Sequence, residues 1–335
     1  MFNALSKAQK LAEKVRFAGD TLRCCDIEAL SHSKIIKNLA YATDLNISKD
    51  ITPSLFESLN AVYERLNIPR KAVEAFVYSS PEIQAECYAG DKTECIIRFS
   101  SGMIDLLNKK EFEFIAGHEI GHFILKHGLA RAKEKQQSLE FFMQQRAQEI
   151  SVDRIGLLAC GSLDMSIKAL MKLVSGLTGK HLRFNVGTFL SQLRKSTNTS
   201  LNMHHASTHP PILIRCRALL WFSLNDYFVN NLQNISTKQL INIDKQIQND
   251  LDKHVDGPAK KHIREAKENL AMWMAAHDIV QDGIFSKKEQ TEFSKRFGTD
   301  TLGRLLSFLK DIPASEVKAV VSKRLKAARK DLEYI

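Results

Sequence analysis

The sequence predicts an α+β fold, mostly helical, with a small β-sheet beside one buried helix and an all-α C-terminal domain. Three observations carry this reading. Apolar residues recur at three- and four-residue spacing along most of the chain, the period of an amphipathic helix. Between Val73 and Phe99 that period gives way to three short β-type runs, VEAFVY, AECYA and CIIRF, separated by Ser79-Ser80-Pro81 and Gly90-Asp91-Lys92 as turns. From Gly102 onward the helical period returns. The composition agrees: 335 residues, 44% hydrophobic and 26% charged, leave room for one large or two ordinary domains and exclude disordered or collagen-like chains.

In chain order, the first seventy residues read as helices. Thr52-Pro53 ahead of SLFESLNAVYERL supplies an N-cap residue and a proline at the first helical position. The β-type runs Val73–Tyr78, Ala85–Ala89 and Cys95–Phe99 predict a small antiparallel sheet. A helix then follows over Asn108–Gly128. Asn108 and Glu111 make a capping box at its start, and Lys126, His127 and Gly128 make a cationic stop. Phe112, Phe114, Ile115, Ala116, Ile120, Phe123, Ile124 and Leu125 make that helix apolar nearly all round, which predicts a buried central position. Ser196–Thr208 is a polar loop, a further helix follows Pro210-Pro211, and the composition turns rich in Asn and Gln over Asn225–Gln239. These breaks divide the chain into an N-terminal helical segment, 1–70, a middle domain, 71–225, and a helical C-terminal domain, 226–335.

Lys and Arg number 48 against 38 Asp and Glu, a formal charge of +10. Such a balance favours nucleic acid, anionic lipid or acidic proteins without choosing among them, and the basic tail residues recur at helical spacing as a solvated face would. No run approaches the ~18 consecutive apolar residues of a membrane span. The first twenty residues carry Lys7, Lys10, Lys14 and Arg16 and no compact apolar core, unlike a secretory signal. The six cysteines, Cys24, Cys25, Cys87, Cys95, Cys160 and Cys216, form no C-x-x-C pair and are expected as free thiols. A soluble cytoplasmic protein is expected.

The chemistry is concentrated in His118-Glu119-Ile120-Gly121-His122, an H-E-x-x-H sequence. On an α-helix, residues i and i+4 lie one above the other, so both imidazoles can reach one zinc ion at ~2.0–2.1 Å. Glu119 then stands beside the metal, where it can take a proton from a zinc-activated water. Gly117 and Gly121 each cost ~1 kcal/mol of helix propensity, which is reasonable where something approaches that face closely. A third ligand is needed. The pattern H-E-x-x-H-x-x-G-x-x-H is excluded, since Leu125 stands where Gly belongs and Gly128 where the last His belongs. The segment QEISVDRIG offers Glu149 and Asp153 on one helical face, one carboxylate for the metal and one to hydrogen-bond a ligand histidine.

Three separated segments, GMIDLLNKKEFEFIAGHEIGHFILKHG, QEISVDRIG and STHPPILIRCRAL, occur in that order and together resemble the HtpX-like and CAAX-prenyl-protease group of zinc metallopeptidases. The resemblance covers about Val73–Leu219. It implies a gluzincin-type domain with one zinc ion on His118, His122 and Glu149, and Asp153 supporting His118. It makes Glu119 the general base and then the acid of peptide hydrolysis. It gives His209, of His209-Pro210-Pro211, the role of donor to the oxyanion of the tetrahedral intermediate, and Arg215 that of a structural ion pair. His204 and His205 have no matching role. An edge strand that binds substrate backbone is also implied, here Glu86, Cys87, Tyr88 and Ala89 after Ala85, which depart from the Asn-Ala-x-Ala-like strand of many relatives. Many relatives are also membrane-embedded or lipid-anchored, and no such anchor is visible here. The implied function is a zinc-dependent endopeptidase acting on proteins or peptides.

In the C-terminal part, Asp278–Glu289 aligns with an EF-hand loop at Asp278, Asp282, Gly283, Ser286 and Glu289, but Val280 stands at a ligating position, so calcium is not expected. Over the same short stretch, preceded by AMWMAAH, the sequence resembles the inter-helix turn of TerB-like domains, which implies a helical module for a protein partner. Two other function classes fit some of these features. One is a catalytically silent, zinc-stabilised scaffold, which has no use for the Glu119 carboxylate. The other is a nucleic-acid-associated protease, which requires steeply salt-dependent DNA binding.

Overall fold

The computed structural model describes residues 2–21, 30–89, 94–127, 138–195, 207–224, 237–280 and 285–333. Cys24, Cys25, the turn Gly90-Asp91-Lys92, Gly128, His204, His205 and most of Asn225–Gln239 lie outside them. The chain divides into two compact units, residues 1–136 with 141–255 and residues 137–140 with 256–335.

In the first unit, helices α1 (Phe2–Val15), α2 (Leu30–Thr43) and α3 (Pro53–Leu66) come before most of the sheet. Helix α3 starts at its proline, but the Thr52 hydroxyl does not cap it and donates instead to the Ser48 carbonyl at 3.2 Å. The described strands are β1 (Leu45–Asn46), β2 (Val73–Tyr78), β3 (Ala85–Ala89) and β4 (Cys95–Ser100), in the spatial order β1-β2-β4-β3. The sheet is mixed rather than antiparallel. Strands β2 and β4 run parallel, with Val73 opposite Cys95 and Tyr78 opposite Ser100, while β1 and β3 pair antiparallel to their neighbours. The cause is the placement of β3 at the edge: its antiparallel partner β4 then lies between β3 and β2 and runs the same way as β2.

Helix α4 (Ser101–Leu106) leads into α5 (Lys109–Ile124). The capping box forms: the Asn108 side chain accepts from the Lys110 and Glu111 amides at 3.0 Å each, and Glu111 accepts from the Asn108 amide at 2.8 Å. The far end departs from the expected cationic stop. Lys126 takes the left-handed conformation at φ 59°, and His127 folds back and is buried, 5% exposed.

Helix α5 is buried on several sides, as its composition predicts. Phe112 meets Phe99 of β4 edge-on with ring centroids 4.9 Å apart. Helix α6 (Leu139–Cys160) lies close against another flank. A Cβ on Gly117 would collide with Ala159, one on Gly121 would sit 3.0 Å from the Val152 Cβ, and one on Gly156 2.7 Å from the Phe114 carbonyl oxygen. The glycines therefore let two helix backbones come together, which is what their propensity cost allows.

Helices α7 (Leu163–Ser175), α8 (Val186–Lys195), α9 (Ile212–Ser223) and α10 (Thr237–Leu251) complete the unit. Helix α10 belongs here because Ile247 and Leu251 share a core with Phe17, Ile150 and Ile214, so the division near 255 falls beyond the composition break at 225. Residues 1–70 likewise form no separate body: Leu5, Ala8, Ala12 and Val15 enter the main core beside Phe114 and Ile120.

The second unit contains α11 (Gly257–Ile279), α12 (Lys287–Phe297), α13 (Thr299–Lys310) and α14 (Ala314–Glu333) around a core of Ala276, Val280, Phe293, Leu305 and Val321. Ser286 and Glu289 of the EF-hand-like string form the capping box of α12; Asp282 and Gly283 lie outside the described residues. Cys87, Cys95, Cys160 and Cys216 are free. No described helix is long and apolar enough to cross a membrane.

Candidate active site

His118 and His122 stand one turn apart on α5, with ring centroids 5.1 Å from each other, the separation that i, i+4 spacing dictates. Glu149 reaches them from α6. Its Oε2 is 3.5 Å from His118 Nε2 and its Oε1 is 3.4 Å from His122 Nε2. Among the described residues these three form the His/Cys/Asp/Glu group able to hold a metal ion.

The donor set fits zinc. Ligands ~2.1 Å from a tetrahedral centre stand about 3.4 Å apart, which matches the spacing of the carboxylate from both imidazoles. Glu149 Oε2 is buried and accepts no hydrogen bond, with Arg215 Nη1 3.4 Å away, and a bound metal ion would satisfy it.

The second nitrogen of each imidazole is held from behind. His118 Nδ1 lies 3.0 Å from Asp153 Oδ1, one turn along α6 from Glu149. Arg215 of α9 fixes Asp153 in turn, Nε to Oδ2 at 2.8 Å and Nη2 to Oδ1 at 2.6 Å. Burial would raise the Asp153 carboxyl, but the Arg215 guanidinium and His118 outweigh it and hold the group below the usual carboxylate range. The same contest holds Glu149 well below that range, with His118, His122 and Arg215 prevailing over burial. Both carboxylates are anions inside the protein.

Behind His122 stands a pair that sequence patterning misses. His122 Nδ1 is 3.1 Å from His127 Nδ1, and His127 Nε2 is 3.0 Å from Asp20 Oδ2. Asp20 also accepts from Arg16 Nε and Nη2 at 2.9 Å each, from Ser151 Oγ at 2.7 Å and from Gln144 Nε2 at 3.1 Å. Burial raises the Asp20 carboxyl, yet the bonds from His127 and Arg16 bring it down to about 2. Burial brings His127 down to about 4. His127 follows His122 by five residues, off its helical face, and only the left-handed turn at Lys126 returns it to the site. Asp20 is 107 residues distant in sequence. No local pattern marks either one.

Glu119 is partly exposed between the buried His118 and Ile120. The Cys95 thiol is raised well above its usual value, chiefly by burial, then by Cys87 and the Glu119 charge. His209 stands at the rim, its Nε2 3.6 Å from Glu149 Oε1 and its side chain 61% exposed. Buried Arg146 of α6 positions this segment by donating to the Ser207 carbonyl at 2.6 Å. The Thr208 hydroxyl lies 2.9 Å from His209 Nδ1, which leaves Nε2 toward the cluster. Arg146 is a further residue that spacing alone does not reveal.

Strand β3 splits its residues between two faces. Ala85 and Cys87 pack on the core that contains α5, whereas Tyr88 packs with Ala40, Phe76 and Ile96 on the other face. Glu86 accepts there from the Tyr88 hydroxyl at 3.0 Å and from Arg98 Nη1 at 3.2 Å. Strand alternation turns the Glu86 and Tyr88 side chains away from His118 and Glu119, and the Ala89 side chain lies outside those described; pairing of a substrate with the β3 backbone does not depend on these side chains.

Residues 52–144 match the model of peptidase family M48. The matched stretch includes strands β2–β4 and the whole of α5, while Glu149, Asp153, His209 and Arg215 follow it. The chain is similar to the plastoglobule-localized metallopeptidase 48, chloroplastic, of Arabidopsis thaliana, 26% identical over 208 residues that cover 53% of this chain and 59% of that protein. It is also similar to metalloprotease YcaL of Escherichia coli (strain K12), 36% identical over 67 residues that cover 20% of this chain and 25% of that protein. It thus spans a little over half of the first relative and a quarter of the second. No solved structure matches the chain.

Proposed function

We propose that the chain is a zinc-dependent endopeptidase in which His118, His122 and Glu149 hold one zinc ion and Glu119 is the general base and acid. One observation carries the reading. Two imidazoles of α5 and a carboxylate of α6 converge at metal-ligand spacing in a buried site, with a carboxylate oxygen that no hydrogen bond satisfies. When bound, zinc supplies Lewis-acid activation of a water molecule and of the scissile carbonyl. Glu119, open to solvent beside the ligands, accepts the proton of the attacking water and delivers it to the leaving amine. Asp153, fixed by Arg215, keeps the His118 proton on Nδ1 and leaves Nε2 free to ligate. His209 donates from Nε2 to the developing oxyanion, a contact worth about 3–4 kcal/mol in comparable sites. The substrate is a protein or peptide that lies extended along the edge of β3 and pairs with its backbone. The cytoplasm suits the chain, because Cys87, Cys95, Cys160 and Cys216 stay reduced there.

The test is cleavage of an unfolded protein such as casein by the wild type and by Glu119→Gln, with zinc determined on both. Equal zinc in the two and a loss of about 10²–10⁴-fold in turnover for the variant are expected. Equal cleavage by both would remove Glu119 from the reaction. Zinc in both with cleavage by neither would favour the scaffold instead.

A further inference from the structure

Asp20 and His127 stand behind the metal centre and have no part in the reading above. We infer that they are positioning residues of the zinc site: two hydrogen bonds in series fix His122 with its proton on Nδ1 and its Nε2 lone pair toward Glu149. The inference rests on the zinc reading and extends the site to the segment that follows α1.

Proton bookkeeping gives the direction of each bond. Two Nδ1 atoms 3.1 Å apart share a single proton, so one ring donates and the other accepts. Asp20 decides which. Its carboxylate is an acceptor, already receiving Arg16, Ser151 and Gln144, so His127 must present an N–H at Nε2. His127 Nδ1 then carries only a lone pair and accepts from His122 Nδ1. A neutral imidazole has one ring proton, so His122 Nε2 keeps the lone pair that a metal binds. The opposite order would put the His122 proton on Nε2, facing Glu149, where it would exclude the ion.

The other ligand has a matching support. His118 Nδ1 meets Asp153, which Arg215 holds; His122 Nδ1 meets His127, then Asp20, which Arg16 holds. In each case a buried arginine ends the series. The second series also ties both ligand-bearing helices to the Arg16–Asp20 segment. The Phe17 amide donates to Ser151 Oγ at 3.1 Å, and Ser151 donates to Asp20 at 2.7 Å, from a position on α6 midway between Glu149 and Asp153.

The test measures zinc affinity by chelator competition on the full chain, for the wild type, His127→Phe and His127→Asn. Phenylalanine fills the space without an acceptor and should weaken zinc by about 10–100-fold. Asparagine places Oδ1 near the position of Nδ1 and should restore affinity to within about threefold of the wild type. The zinc-free variants should unfold at similar temperatures, which separates the acceptor from packing. Unchanged affinity in His127→Phe, or equal losses in both variants, would overturn the inference. If His127→Phe does not fold, ring-nitrogen NMR of the wild type decides: His122 as the Nδ1–H tautomer and His127 as the Nε2–H tautomer are expected, and the reverse for His127 overturns it. A wild type that holds no zinc would instead overturn the metal centre itself, along with this extension of it.

Discussion

At Asp20 the burial of a carboxylate and the donors around it pull in opposite directions, and the donors win. Its pKa stands at about 2 in the fold against an ordinary 3.8. The unfolded chain therefore takes up this proton first as pH falls. The group contributes full stability above about pH 4, losing it as pH drops through about 2, and the shift corresponds to about 2 kcal/mol. Denaturant unfolding of the wild type and Asp20→Asn from pH 6 to pH 2 checks this: the stability gap between them should narrow below pH 4, and a constant gap would contradict it. Arg215 makes a second residue-scale case. It is buried with two bonds to Asp153 and lies 3.4 Å from Glu149. Arg215→Leu leaves two buried carboxylates without their cation and should cost about 3–5 kcal/mol, read as a lower unfolding temperature. The ligand histidines could be read from sequence because i, i+4 geometry is local. Asp20 and Arg146 could not, because each reaches the site through a long-range hydrogen bond, nor could His127, which only the left-handed turn at Lys126 brings back to His122.

Between α5 and α6 the backbones touch at glycines, and this contact decides how a substitution there behaves. In Gly156→Ala the new methyl would meet the Phe114 carbonyl, a backbone atom that cannot step aside. A loss of about 1–3 kcal/mol is expected. Gly303 lies in helix α13 with nothing near its missing Cβ, so Gly303→Ala should instead gain up to about 1 kcal/mol from helix propensity. Thermal unfolding of the two variants should move in opposite directions, and shifts of the same sign would contradict the packing described here. The elements differ in how readable they are for the same reason. The capping box of α5 is a matter of four neighbouring residues, and Asn108 with Glu111 announces it. The strand runs of β2, β3 and β4 are local as well, but their order is not: that β4 runs beside β2 in parallel depends on β3 taking the edge. Strand β1, two residues long, is too short to carry a pattern.

Across the whole molecule, every residue assigned to the metal site lies in the unit formed by residues 1–136 and 141–255. Leu305 belongs to the core of the other unit. Leu305→Ala should destabilise that unit by about 2–5 kcal/mol and leave zinc content unchanged, as unfolding and metal analysis of one preparation would show. The break in composition at 225 falls short of the structural division at 255 because Ile247 and Leu251 bury against Phe17, a pairing that composition does not reveal. The most direct test of the metal centre is the zinc content of the full chain and of Glu149→Ala after dialysis against metal-free buffer. One zinc per chain in the wild type and far less in the variant is expected, since the variant lacks one of three protein ligands. Equal zinc in the two, or none in the wild type, would contradict it.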